Sequence, residues 1–379
     1  MPFDLDGLLR LAFEQRASDL HLKVGAPPLL RIDHQLVPVQ DRPCLTQADL
    51  ETIVSLVTTE LQRQQFVQRR ELDLSYGVAG LGRFRINFFR QRGMVGATFR
   101  VIPLNIKTIE ALDLPPVIGK LAMEPRGMVL VTGTTGSGKS TTLAAMIGHI
   151  NSNRMGHIVT IEDPIEFLHS DNRCLINQRE VGSDTESFAG ALRSALRQDP
   201  DVILVGEMRD LDTVSTALVA AETGHMVFST LHTSDAAETI NRIIAIFPPY
   251  QHNQIRLQLA SSLRGVISMR LIPQVDGKGR VPAVEAMVVT ATIRECIVDA
   301  EKTRKIPDVI AAGTSEYGMQ TFDQSLMSLH KRGLVSYEEA LKWSSNPSDF
   351  ALKVRGIESG TDQPWAAGQK GGLGERKLR

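Results

Sequence analysis

Apolar positions in residues 4–16 recur at helical spacing, with Leu5, Leu8, Leu9 and Phe13 on one face, and predict a short amphipathic helix. Residues 20–24 alternate apolar and polar, as a half-buried strand does. Gly25, Pro27 and Pro28 turn the chain into a second strand at 29–32, which ends in a tight turn at Asp33-His34. Thr46 with Asp49 marks a capped helix start, and that helix is expected to run to about Gln68. Strands follow at 72–76, 83–89 and 97–102; in the middle one Phe84, Ile86 and Phe88 share one face while Arg83, Arg85 and Asn87 share the other. Helices mixed with antiparallel strands make an α+β domain over residues 1–100. Pro103, Pro115 and Pro116 punctuate a linker over 101–116.

From residue 117 the pattern changes to α/β. Strand-like apolar runs recur at 128–132, 158–161, 202–205 and 226–229, with helical segments between them. That alternation predicts a mostly parallel sheet with ligand at the strand C-termini. After 247 the chain reads as mainly helical, and Ser336 with Glu339 caps the last clear helix. This second domain spans 117–345. A disordered tail is expected over 346–379, since 356–379 hold six glycines and end in Glu375-Arg376-Lys377-Leu378-Arg379. No internal repeats stand out.

Composition narrows the classes. Of 379 residues 42% are apolar and 22% charged, as in globular proteins. The net charge of −1 and an aromatic content of 5% argue against a dedicated nucleic-acid binder. Cys44, Cys174 and Cys296 are scattered and form no zinc module, which points to reduced thiols in a cytoplasmic protein. The acidic start, Met1 to Asp6, lacks a signal-peptide pattern, and no apolar run has the length of a membrane span. Any membrane link is expected through partners.

The most informative stretch is Gly133-Thr134-Thr135-Gly136-Ser137-Gly138-Lys139-Ser140, a phosphate-loop pattern. The apolar run before it reads as a strand, and Thr141 opens a helical segment after it. Strand, loop and helix together aim backbone N–H groups at one anion. Lys139 is expected on the β- and γ-phosphates, and the Ser140 hydroxyl on Mg²⁺. An acidic strand end should complete such a site. After Val202-Ile203-Leu204-Val205, Gly206 stands where an Asp is common, which leaves Glu207 to orient and deprotonate the attacking water. Pairing of Glu207 with Arg209 is the structural alternative. Glu162, Asp163 and Glu166 crowd a second strand end, where a cation would relieve them. His225 and His232 bracket the fourth core strand; either could sense a γ-phosphate or be an ordinary core or surface histidine. Arg83, Arg85, Arg90 and Arg92 on the small domain are candidates for charge delivered in trans, or a solvated strand face.

Over residues 5 to 345 these motifs resemble the secretion-ATPase superfamily, and most closely its type IV pilus retraction (twitching-motility) ATPases. The resemblance rests on Ala17-Ser18-Asp19-Leu20-His21-Leu22, Gly25, Pro27, Pro28 and Arg31, on the phosphate loop, and on the aspartate box Thr160 to Phe167. It also rests on the Walker B stretch Leu196 to Asp210 and the histidine box Thr223 to Thr233. It implies a RecA-like P-loop core with a smaller N-terminal PAS-like α+β domain, and a Mg²⁺-dependent ATPase assembled as a homohexamer with ATP between subunits. It implies that Glu207 is the catalytic glutamate and that Glu166 assists Ser140 at the metal. It further implies that His232 and His225 sense phosphate, that Arg100 to Pro103 border the adenine, and that small-domain arginines complete the neighbour's site.

By the same resemblance the partners are the inner-membrane platform protein of the pilus machine and a paralogous retraction ATPase, at the cytoplasmic face of the inner membrane. No direct nucleic-acid contact is expected. Extension and type II secretion relatives carry a longer N-terminal region and a four-cysteine zinc module, and this chain has neither. Its residues 292–299, Thr-Ile-Arg-Glu-Cys-Ile-Val-Asp, depart from the retraction motif Ala-Ile-Arg-Asn-Leu-Ile-Arg-Glu. That departure motivates a second reading, an accessory or regulatory paralogue with low turnover. A third is a related secretion or DNA-translocating motor.

Overall fold

The computed structural model describes residues 4–32, 35–78, 80–102, 106–277 and 279–356. The expected turn at Asp33-His34, Pro103 and the chain from 357 onward lie outside them.

Helix α1 (Leu5–Glu14) starts where the Asp4 carboxylate accepts from Gly7 N, and it buries Leu5, Leu8 and Leu9. The chain then runs through β1 (Asp19–Lys23), β2 (Leu29–Ile32) and β3 (Gln35–Pro38). Helices α2 (Gln47–Val57) and α3 (Glu60–Arg69) precede β4 (Glu71–Val78), β5 (Gly82–Gln91) and β6 (Met94–Ile102). The helix expected from Thr46 to Gln68 is therefore two. Thr59 caps Gln62 N and receives the Gln62 side chain in return, which starts a new helix after the break at Thr58. The six strands pair in the order β3-β2-β1-β6-β5-β4. All the pairings are antiparallel. Phe84, Ile86 and Phe88 turn inward to meet Phe66, Phe99 and the apolar face of α1.

The second unit starts with α4 (Val117–Ala122), β7 (Gly127–Thr132), α5 (Lys139–Asn153), β8 (Gly156–Glu162) and β9 (Cys174–Glu180). It continues through α6 (Phe188–Ala195), β10 (Val202–Val205), α7 (Leu211–Glu222), β11 (Met226–Leu231), α8 (Ala236–Ala245) and α9 (His252–Ser262). After 247 the chain is mainly helical, as expected, but it also holds β12 (Leu263–Pro273) and β13 (Arg280–Val288), a long antiparallel pair that the pattern does not predict. The seven-stranded order is β13-β12-β7-β11-β10-β8-β9. Every strand from β12 to β9 runs parallel to its neighbour. Strands β7, β10 and β11 are buried at every position, because helices cover both faces of the sheet.

Helices α10 (Ala291–Val298), α11 (Ile306–Ala312), α12 (Thr314–Tyr317), α13 (Phe322–Lys331) and α14 (Tyr337–Trp343) pack beyond the hairpin. The expected disordered tail does not begin at 346. Helix α15 (Pro347–Val354) follows, with Asn346 as its cap, and seats Phe350 against Phe322, Leu326 and Ala340.

Candidate nucleotide site

The loop Gly133–Gly138 leaves β7 at its C-terminal end and closes directly into α5, whose first residue is Lys139. Gly133, Gly136 and Gly138 have φ of 140°, 76° and 98°. These are conformations that side chains rarely adopt. Gly133 is doubly constrained, since a Cβ there would stand 2.5 Å from Met269 O on β12. The Ser137 hydroxyl is buried and lacks a hydrogen-bond partner, as a cradle built for an outside acceptor leaves it. Lys139 Nζ folds back to donate to Gly133 O at 2.9 Å and Thr134 O at 3.0 Å. Burial pulls its ammonium below the usual lysine range, against the pull of Glu166 and Glu207.

Thr135, Gly136, Gly138, Lys139, Ser140 and Thr141 line a cavity of about 480 Å³. Across it stand Glu162, Glu166, Glu207 and His232. All four acid–base groups stand at or just beyond the C-terminal ends of parallel strands, β8, β10 and β11, where ligands of such sheets bind. Gly206 is small for a visible reason: a Cβ would come within 3.2 Å of Ile161 O on neighbouring β8. Glu207 therefore carries the carboxylate of this strand end.

Glu207 Oε2 pairs with Arg209 Nη2 at 2.7 Å and lies 3.9 Å from His232 Nε2. Glu207 thus lines the cavity and is at the same time paired with Arg209. Desolvation and the nearby Lys139 charge lower the His232 pKa, which favours the neutral imidazole. Glu162 accepts from Thr160 Oγ1 at 2.6 Å and Gln178 Nε2 at 3.2 Å. Burial raises its pKa. Glu166 is exposed to the cavity, with its backbone N 3.5 Å from Glu162 Oε2.

The described residues hold no group of three or more His, Cys, Asp or Glu side chains arranged for a metal. A nucleotide-borne Mg²⁺ does not require one, because phosphates and waters supply most of its ligands. Ser140 and the Glu166 carboxylate, both on the cavity wall, offer oxygen donors of the kind that ion takes.

Several expected residues lie elsewhere. His225 precedes β11, at the opposite strand end from His232, and its ring contacts Ala220 O at 3.1 Å. It cannot reach a phosphate held by the loop of its own subunit. Arg83, Arg85, Arg90 and Arg100 do not line the cavity. Arg83 binds Glu180 at 3.3 Å and Arg85 lies 3.8 Å from Asp73. Arg90 stacks over Phe66 and donates to Gly93 O. Arg100 pairs with Asp19 at 2.9 Å. Conversely, His169, Leu271 and Arg280 line the cavity without having been singled out. His169 follows the aspartate box by two residues and carries no motif of its own. Leu271 and Arg280 come from the hairpin that the sequence pattern did not reveal.

The family model described as "Type II/IV secretion system protein" matches residues 4–341. The type IV pilus retraction ATPase PilT of Pseudomonas aeruginosa is 47% identical over 92% of this chain and 100% of its own length. The type IV pilus ATPase PilU of the same organism is 41% identical over 95% of this chain and 94% of its own. A crystal structure of the pilus retraction motor PilT with bound ADP superposes with a TM-score of 0.84 at 46% identity, covering 91% of this chain and 98% of that one. A phosphate loop facing a strand-end glutamate and histidine, in a chain matched over most of its length, makes this protein a member of the type II/IV secretion system protein family.

Proposed function

We propose that this chain is a motor ATPase that hydrolyses ATP to power type IV pilus retraction. The observation that carries the chemistry is the cavity that sets Lys139 and Ser140 opposite Glu207 and His232. The full-length similarity to a retraction ATPase supports the use of that chemistry. In this reading Lys139 leaves its two loop carbonyls for the β- and γ-phosphates, and the backbone N–H groups of the loop hold the phosphate oxygens. Glu207 orients the attacking water and takes its proton, and neutral His232 donates toward the γ-phosphate. Ser140 and Glu166 hold Mg²⁺, which when bound neutralises charge on the phosphates.

A homohexamer completes the site. None of the small-domain arginines reaches the cavity of its own subunit, so a neighbour's Arg83, Arg85 or Arg90 adds its positive charge to that of Lys139 and Arg280. Arg100 borders the adenine in the same assembled interface. The platform protein of the pilus machine and a paralogous retraction ATPase are the partners. In this reading they hold the ring at the cytoplasmic face of the inner membrane.

The accessory reading is not favoured. The altered stretch 292–299 still forms α10 and buries Ile293, Cys296 and Ile297. Steady-state hydrolysis and nucleotide binding by the purified assembly test the proposal. Lys139→Ala should abolish both, whereas Glu207→Ala should keep binding and lose about 100-fold or more in kcat. Unchanged turnover in Glu207→Ala would end the role given to that residue. Restoration of pilus retraction in a deletion strain by wild type, but not by Glu207→Ala, tests the use of the energy.

A further inference from the structure

Glu180 ends β9 and is 3% exposed. Its carboxylate serves two domains at once. From the small domain, Ser75 Oγ on β4 reaches both oxygens, at 2.8 and 2.9 Å, and Arg83 Nη2 on β5 reaches Oε2 at 3.3 Å. From the core, Ile165 N donates to the same Oε2 at 3.1 Å, and Ser183 Oγ lies 3.4 Å from Oε1. Ile165 is itself buried, one residue before Glu166. The joint lies between two sheet margins, since β4 and β9 are the outermost strands of their sheets. Arg83 Nε is buried without a partner, so the guanidinium is held by Glu180 and not fully satisfied around it.

A carboxylate in this position cannot change its small-domain partners without changing its hold on Ile165. If the small domain turns, Ser75 and Arg83 move. Oε2 then either follows them and pulls on the loop 163–166, or gives them up and tightens on Ile165 N. In both cases the placement of Glu166 on the cavity wall changes. A buried acceptor shared by three donors has no slack in which to absorb such a turn.

We propose that Glu180 is a positioning residue through which the orientation of the small domain sets the placement of Glu166 in the nucleotide site of the same subunit. This rests on the reading of Glu166 as a metal-side residue, and it makes Arg83 part of a joint within the subunit.

The test measures turnover against Mg²⁺ concentration in the assembled protein, together with the distance between spin labels on the small domain and the core. Ser75→Ala cuts only the small-domain side, and Glu180→Gln weakens both. Both variants should bind nucleotide as wild type does. The half-saturating Mg²⁺ should rise about threefold or more in Glu180→Gln and less in Ser75→Ala. The nucleotide-driven change in label distance should shrink in both. Glu180→Gln with lowered stability would leave Ser75→Ala to decide. Wild-type Mg²⁺ dependence and label response in Ser75→Ala and Glu180→Gln, beside a shifted Glu166→Gln, would overturn this inference alone. An unshifted Glu166→Gln would overturn the metal-side reading as well.

Discussion

Two ionisable groups, one on the cavity wall and one in the core, titrate in opposite senses. His169 is pushed by burial from 6.5 to about 4. Between those values the unfolded chain binds a proton that the folded one refuses. Its contribution to stability is present above pH 6.5 and is lost as pH falls through about 4. Glu285, on β13, accepts from Ala236 N at 2.9 Å, and burial raises its carboxyl from 4.5 to about 7. Here the folded chain keeps a proton that the unfolded one releases, so stability is present below pH 4.5 and is lost as pH rises through about 7. Asp235 and Asp323 oppose its charge while Arg270 favours it. Each shift is worth about 3 kcal/mol at most. The slopes oppose each other where the windows overlap, so single variants should expose them. His169→Gln should leave stability falling from pH 5 to 7, and Glu285→Gln should leave it rising and should unfold later than wild type at pH 8. Thermal unfolding at several pH values measures this; parallel curves for all three proteins would refute the assignment.

At the scale of the element, the C-terminal helix α15 tests how far the fold extends. Phe350 is 1% exposed in a small core with Phe322, Leu326 and Ala340. Asp323 on α13 also accepts from Ser345 N at 2.6 Å and from Asn346 N at 3.2 Å, which fixes the turn into α15. Phe350→Ala should cost about 3 kcal/mol locally and open α15 without touching the nucleotide cavity. Hydrogen exchange should rise in 347–354 and stay unchanged in α5; unchanged exchange in α15 would refute the packing role.

What the sequence revealed follows from the same local physics. Strands β7, β10 and β11 were legible because burial on both faces gives each an apolar run, Met128 to Val131, Val202 to Val205 and Met226 to Phe228. Strand β9 was not, since it ends in the polar run Asn177-Gln178-Arg179-Glu180, in which Gln178 binds the aspartate box and Glu180 binds both that loop and the small domain. Strand β12 was hidden because α9 passes into it at Leu263 with no glycine or proline between them. The break between α2 and α3 did carry a signal, the Thr59–Gln62 capping box, which the apolar periodicity overrode. In the site, Lys139, Glu207 and His232 were legible because motif and strand end coincide. His225 had the motif but the wrong strand end, and the rule that ligands sit at C-terminal ends rejects it once β11 is placed.

At the scale of the whole molecule, the arginines sort themselves by what already holds them. Arg83 is tied to Glu180 and Arg90 lies over Phe66, so neither is free without breaking a contact. Arg85 is 44% exposed, and its pairing with Asp73 at 3.8 Å is a weak surface contact. It is the best placed of the three to leave its own subunit and stabilise phosphate charge in the next. Mixing two inactive proteins tests this without any structure of the ring. Glu207→Ala subunits lack the water-positioning carboxylate but present Arg85, and Arg85→Ala subunits have the reverse. An interface regains both groups only when an Arg85→Ala subunit supplies Glu207 and its neighbour, a Glu207→Ala subunit, supplies Arg85. Random equimolar rings should therefore recover about a quarter of the wild-type sites, from two components that are each nearly dead alone. If both groups acted within one subunit, every subunit in the mixture would remain defective and no activity would return. Recovery in the mixture, measured as steady-state hydrolysis after dissociation and reassembly, distinguishes an active site shared across subunits from one that each chain completes for itself.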